Sequence, residues 1–210
     1  MFCVIIFFVN YQIVESCIPT QILEVPIEFP TTTTSSTTST TTTTTSTTTP
    51  EPIYTCPTDW TKFDRGTYYW CMYIYIGPVQ TSNGPAICQS LDSSAVPTGF
   101  QNANEMSAMA AVVASRTSDF TFMLLGASRT AVCVGQILTA TCTYKTSFYW
   151  TDQHTTGTDQ FIWDLGNGSP ENTGLIENWA IWKPVFGMMD DQPAYTWQSG
   201  VLCGVEATVS

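Results

Sequence analysis

Apolar and polar positions divide the chain into three stretches with different physics. Residues 2–9 are uninterruptedly apolar. That run is too short to cross a bilayer, which takes about 20 apolar residues. It matches the apolar region of a secretory leader, although no Lys or Arg precedes it; Val14 and Ser16 stand where a small-residue cleavage rule wants them. Residues 1–16 therefore read as a cleaved signal peptide, with an uncleaved anchor or a buried strand as alternatives. No other segment is long and apolar enough to span a membrane. Nineteen consecutive Ser and Thr residues then occupy 31–49, closed by Pro50. Hydroxyl side chains bury too little apolar surface to offset chain entropy, so no core forms there. With Pro30, Pro50 and Pro52, residues 17–55 read as a mucin-like stalk, or as a plain linker if unglycosylated.

Residues 56–210 carry the structured pattern, and they are numerous enough for one domain with its own core. From Cys56 to Val79 aromatic and β-branched residues dominate, as in one or two strands. Asn83-Gly84-Pro85 reads as a turn, and Pro85 suits a first helical position. A short helix over Ala86–Leu91 follows, carrying Cys88. Asn102 stands three residues before Glu105 and predicts a second helix start. Met106, Met109, Val112 and Val113 then line one apolar face, which reads as core. Phe120–Gly126 reads as a buried strand, and 127–178 as a long irregular stretch of the kind that carries function. Strand-like runs return at Trp179–Trp182, Val185–Met188 and Val201–Val205. The pattern predicts an α+β domain with two helices, short antiparallel strands and one large loop.

Charge narrows the partners. Seventeen acidic residues face six basic ones, a formal charge of -11. Nucleic acid and anionic membrane surfaces require a basic face, so neither fits. Cations, neutral ligands and basic partners do. In an oxidising compartment cysteines pair. Beyond residue 16 there remain Cys17, Cys56, Cys71, Cys88, Cys133, Cys142 and Cys203, an odd number. Cys17, before the stalk, is the candidate for a bridged dimer, or for loss if cleavage falls one residue later. Six cysteines allow fifteen connectivities, which sequence alone leaves open. With no Cys-x-x-Cys pair and one histidine, His154, a structural zinc site is disfavoured.

These residues resemble the C-type lectin-like domain over the whole of 56–210. The resemblance rests on Cys56-Pro57-x-x-Trp60 followed by Cys71, on Cys88 in the first helix, and on Cys203 in Val-Leu-Cys-Gly. It rests also on Phe148-Tyr-Trp-Thr-Asp152, Thr156-Gly-Thr-Asp159 and Phe161-Ile-Trp-Asp164, similar to the long loop of secreted invertebrate members, nematode ones in particular. It implies a disulfide-stapled fold paired Cys56–Cys71, Cys88–Cys203 and Cys133–Cys142. In the chain-entropy model the long bridge contributes about 4.7 kcal/mol and the Cys133–Cys142 bridge about 2.5 kcal/mol. The chain departs from the family at a second loop disulfide: Trp179 stands at one cysteine position, and no cysteine lies between Asp191 and Cys203 for the other.

The resemblance also implies a calcium and sugar site. The family's proline motif matches Ser169-Pro170-Glu171, the next carboxylate ligand matches Glu177, and the final pair matches Asp190-Asp191. Glu171, Glu177, Asp190 and Asp191 would be calcium ligands; Ser169, Pro170, Glu171, Glu177 and Asp190 would meet the ligand. Calcium wants six to eight oxygens, and unpaired carboxylates brought together repel without a cation. Ser169 is too short and neutral to replace the family's Glu or Gln, so no sugar follows from the motif. Asn167-Gly168-Ser169 is a glycosylation sequon, with Pro170 after it reducing its use.

The resemblance thus implies a secreted, extracellular recognition protein that binds carbohydrate with calcium, with a role in innate immunity. The alternative is a calcium-independent, protein-binding module with a degenerate sugar site. A third reading makes the stalk the working part of a mucin-like coat. Catalysis is disfavoured: Asp190 and Glu171 could mimic a glycosidase pair, but nothing places them at a working distance. His154 sits in a polar loop without a nucleophile-elbow motif and reads as a surface residue.

Overall fold

The computed structural model describes residues 51–119 and 121–209. The leader, Cys17 and the Ser/Thr run lie outside the described residues. Strand β1 is Tyr54–Thr55, so two residues read as the end of the stalk are strand residues. There follow β2 Thr61–Asp64, β3 Tyr69–Gln80, α1 Gly84–Leu91, β4 Val96–Pro97, α2 Ala103–Arg116, β5 Met123–Arg129, β6 Phe148–Trp150, β7 Glu177–Lys183, β8 Met188–Pro193, β9 Trp197–Glu206 and β10 Thr208–Val209. The main sheet runs β2-β3-β9-β5-β7-β8, with β4 on β9 and β6 on β5. Its pairs are antiparallel except β5 on β9, which is parallel. β1 and β10 close a small sheet of their own.

Local chemistry explains the helix starts. Pro85 sits in the first turn of α1, where its missing N–H costs no hydrogen bond. Asn102 caps α2, its side chain accepting from the Glu105 amide at 3.0 Å. Glu105 does not return the bond to Asn102. Its carboxylate accepts from the Gln101 amide at 2.7 Å and takes both Nε and Nη2 of Arg65 at 2.8 Å. That ion pair is buried on both sides. Met106, Met109 and Val113 enter the core from α2 and meet Met72 and Ile74 of β3, Met123 and Leu125 of β5, and Trp182 of β7.

Two strand boundaries differ from the sequence reading. Residues 185–187 form a turn, and the strand begins at Met188. Pro184 and Gly187, which sits at φ 63°, bracket the turn. The strand expected over 120–126 starts at Met123 and continues to Arg129. Gly126 in its middle has a physical reason: a Cβ there would lie 2.0 Å from the Pro97 carbonyl oxygen.

The disulfides are Cys56–Cys71, Cys88–Cys203 and Cys133–Cys142. The long stretch 130–176 is irregular as expected, with β6 and two single turns of 3₁₀ helix as its regular parts. Apolar stacking holds it. The Phe161 ring stacks on Trp150 at 4.2 Å and on Trp163 at 5.6 Å, and Trp163 Nε1 donates to the Tyr144 carbonyl at 2.6 Å. Trp150, Trp163 and Trp182 are core, whereas Trp197 is exposed. His154 is not a plain surface residue: its ring stacks on Trp70 at 4.3 Å.

Candidate functional site

The site forms where the end of the long loop crosses β7 and β8. Pairing of Ala180 with Asp191 and of Ile181 with Asp190 fixes the two aspartates on β8. The Ser169–Pro170 peptide bond is cis, and Glu171 follows it. Glu171, Asp190 and Asp191 each offer a carboxylate oxygen, and these oxygens lie within 4.8 Å of one another. Three of the four expected calcium ligands are thus brought together. Glu177 lies outside that group; its Oε2 accepts from the Thr173 amide at 2.6 Å.

The four carboxylates were expected to be unpaired, and here the structure differs. Arg129 Nη2 lies 2.5 Å from Asp191 Oδ2. Lys183 Nζ lies 2.9 Å from Asp190 Oδ2 and 3.0 Å from Asp164 Oδ2. Both cations sit inside the site. Ser169 is fully buried, and its hydroxyl donates to Asp190 Oδ1 at 2.5 Å, so it binds a carboxylate of the cluster. Asp190 Oδ1 also accepts from the Asp191 amide. Both oxygens of Asp190 are therefore engaged by the chain's own groups.

Electrostatics follow from burial and this pairing. Burial pushes the Asp191 carboxyl up to about 7; the Glu177 carboxylate adds to the rise, while Arg129 and the Asn172 amide oppose it. Burial also raises Glu177, and Glu171 and Asp190 reinforce it. Arg129 is lowered by burial despite Asp191 and Glu177. Burial works against the charged form of Lys183, but Asp190 and Asp164 outweigh it and hold the ammonium above its ordinary value. The hydrogen bond from Lys183 lowers Asp164.

Among the described residues, the buried atoms without a hydrogen-bond partner include three on this cluster and its guanidinium: Asp191 Oδ1, Glu171 Oε2 and Arg129 Nη1. The donor set is all hard oxygen, as calcium prefers, but two of the three clustered carboxylates already face a positive side chain. The site loop joins the Cys133–Cys142 loop through Asn172 Nδ2, which donates to the Gln136 carbonyl at 2.7 Å. Exposed Ile137, Leu138, Leu175 and Ile176 lie on these two loops. Asn167, the sequon residue, is exposed at the end of a 3₁₀ turn two residues before Ser169.

Arg129, Lys183 and Asp164 were missed by sequence reasoning. A trace of Arg129 was available, since a guanidinium ending the apolar run Met123-Leu-Leu-Gly-Ala-Ser needs a partner in the fold. Lys183 and Asp164 are nineteen residues apart and give no such hint.

This is the C-type lectin-like fold, with two helices, antiparallel and mixed sheets and three disulfides. The chain is similar to the C-type lectin CEL-I from Cucumaria echinata at TM-score 0.54 and 17% identity, over 74% of this chain and 97% of that one. It is similar to the cow C-type carbohydrate-recognition domain of CD23 at TM-score 0.54 and 18% identity, over 74% and 99%. A calcium-independent type II antifreeze protein matches at TM-score 0.52 and 16% identity, over 74% and 98%. These neighbours are lectin-like binding domains rather than enzymes. No family model matches the chain, and no curated protein matches it. Among the described residues no helix is long and apolar enough to cross a membrane.

Proposed function

We propose that this is a secreted recognition protein whose lectin-like head binds its ligand at the long-loop face without requiring calcium. The observation that carries the reading is the pairing of Asp191 with Arg129 and of Asp190 with Lys183. The negative charge that a calcium ion would offset is already opposed by the chain's own cations. Ile137, Leu138, Leu175 and Ile176 supply exposed apolar area for a protein or sugar face. A similar solved structure is described as calcium-independent, which supports this arrangement of the fold. Residues 1–16 serve as a secretory leader that delivers the chain outside the cell, and the Ser/Thr run serves as a mucin-like stalk. An Asn167 glycan would stand beside the binding face. A Cys17 bridge would pair two heads and raise avidity without new contacts. The family resemblance favours a role in innate immunity.

The test is thermal melting of the secreted chain in millimolar calcium and then in EDTA. A ligand that binds only the folded state raises the midpoint. The expected result is the same midpoint in both, with ligand capture from glycan and protein arrays unaffected by EDTA. One observation favours a second reading, calcium-dependent sugar binding: Asp191 Oδ1 and Glu171 Oε2 are buried without partners and could serve a metal. A calcium-dependent rise in midpoint would select it.

A further inference from the structure

We infer that the Lys183 ammonium is a built-in counter-cation that keeps a latent calcium site closed, and that Asp164, Glu171, Asp190 and Asp191 become that site once the ammonium is removed. The inference rests on the calcium-independent reading above and assigns its cause to one side chain.

Lys183 is the last residue of β7 and pairs with Met188; Ile181, two residues earlier, pairs with Asp190. Lys183 and Asp190 are therefore diagonal neighbours on one face of the hairpin, close enough for a long side chain to bridge. The ammonium takes one oxygen of Asp190 and one of Asp164. Asp164 reaches the site because its other oxygen accepts from the Asn167 amide and anchors the 3₁₀ turn leading to Ser169. It supplies a carboxylate at the edge where Ser169 offers none.

Charge decides the outcome of removing the lysine. Among the described residues, the cations placed against Asp164, Glu171, Glu177, Asp190 and Asp191 are Arg129 and Lys183. Arg129 is committed: its Nε donates to the Glu177 carbonyl at 2.8 Å while Nη2 holds Asp191. Without Lys183 the excess of negative charge grows, and Asp190 and Asp164 lose their counter-ion. Buried carboxylates in that state either take up protons or bind a cation. Two features make a metal the better answer than a plain acidic cluster. Three of the four donors, Glu171, Asp190 and Asp191, already converge to within 4.8 Å, and Asp164 is brought to Asp190 by the shared Lys183 ammonium. Asp191 Oδ1, on a completely buried side chain, has no hydrogen-bond partner.

The experiment is a calcium titration of the full secreted chain by calorimetry and thermal melting, with variants Lys183→Gln, Lys183→Met and Lys183→Arg. Circular dichroism and free-thiol counting establish that each variant is folded and disulfide-bonded. The wild type and K183R, which keeps the charge, are expected to show no binding up to about 10 mM. K183Q and K183M are expected to bind at about 0.1–1 mM, the range of extracellular calcium modules, with a midpoint that rises in calcium. Adding Asp164→Asn to K183Q is expected to weaken that binding at least about tenfold, roughly the 1.4 kcal/mol of one decade. Folded K183Q and K183M that ignore calcium would overturn the latent site and leave the calcium-independent reading standing. K183R binding like K183Q would overturn the charge argument. Wild type binding as tightly as K183Q would overturn both this inference and the reading it rests on.

Discussion

Arg129 and Asp191 meet inside the sheet with neither side chain exposed, Nη2 lying 2.5 Å from Oδ2. The same guanidinium donates to the Glu177 carbonyl and lies over the Phe148 ring at 4.6 Å. One side chain therefore ties β5 to β7, β8 and β6. Its position between a backbone carbonyl and an aromatic ring suits a planar, permanently charged donor, which lysine could not replace.

Arg129→Met leaves Asp191 buried and unpaired, which is expected to cost about 3–5 kcal/mol of stability. The double variant Arg129→Met with Asp191→Leu removes both charges and is expected to recover most of that loss. Urea unfolding of the three proteins checks it. A double variant as unstable as the single one would show that the pair does more than compensate its own burial.

Asp191 also sets a pH dependence. Its folded-state carboxyl is raised to about 7, first by burial and then by Glu177, against about 3.9 in an unfolded chain. Between these values the folded chain holds a proton that the unfolded chain has released. Stability therefore falls as pH rises through this window and levels off above about 7. Asp191→Asn is expected to lose that component of the slope. Urea midpoints of wild type and variant from about pH 4 to about pH 8 give the comparison.

The buried pair of Arg65 and Glu105 supports α2 from outside the helix. Both side chains are 1% exposed. Glu105→Ala strands the guanidinium and removes the acceptor of the Gln101 amide, so a loss of about 3–5 kcal/mol is expected. Thermal melting measures it, and an effect below about 1 kcal/mol would count against the pairing.

Disulfide removal is expected to be unequal. Cys88–Cys203 spans 115 residues and Cys133–Cys142 spans 9. Paired Cys→Ala replacement should cost about 4.7 kcal/mol for the first and about 2.5 kcal/mol for the second in the chain-entropy model. The second loss should fall on the long loop, read as faster amide exchange around Asn172, which the loop contacts through Gln136.

Much of the fold was legible along the chain because its signals are local. The Asn102 cap, the Pro85 helix start and the spacing of Met106, Met109 and Val113 need only neighbouring residues to be read. The disulfide pairing came from resemblance, since spacing does not choose among connectivities. The turn at 184–187 was misread as a strand because Val185 and Phe186 are apolar, yet both are exposed at a bend that Pro184 and Gly187 impose.

The sequence by itself determined that a polar Ser/Thr run precedes an apolar, cysteine-rich stretch, and that carboxylates gather near Pro170 and Met189 along the chain. It could not determine what opposes them. Lys183 reaches Asp164 and Asp190 only because β7 and β8 pair in one register and a 3₁₀ turn returns Asp164 to their end. Arg129 reaches Asp191 only across the β5–β7–β8 sheet. Charge pairing depends on distance in space, and the tertiary structure sets that distance. A cluster that looks like an empty cation site along the chain therefore holds two cations of its own once folded.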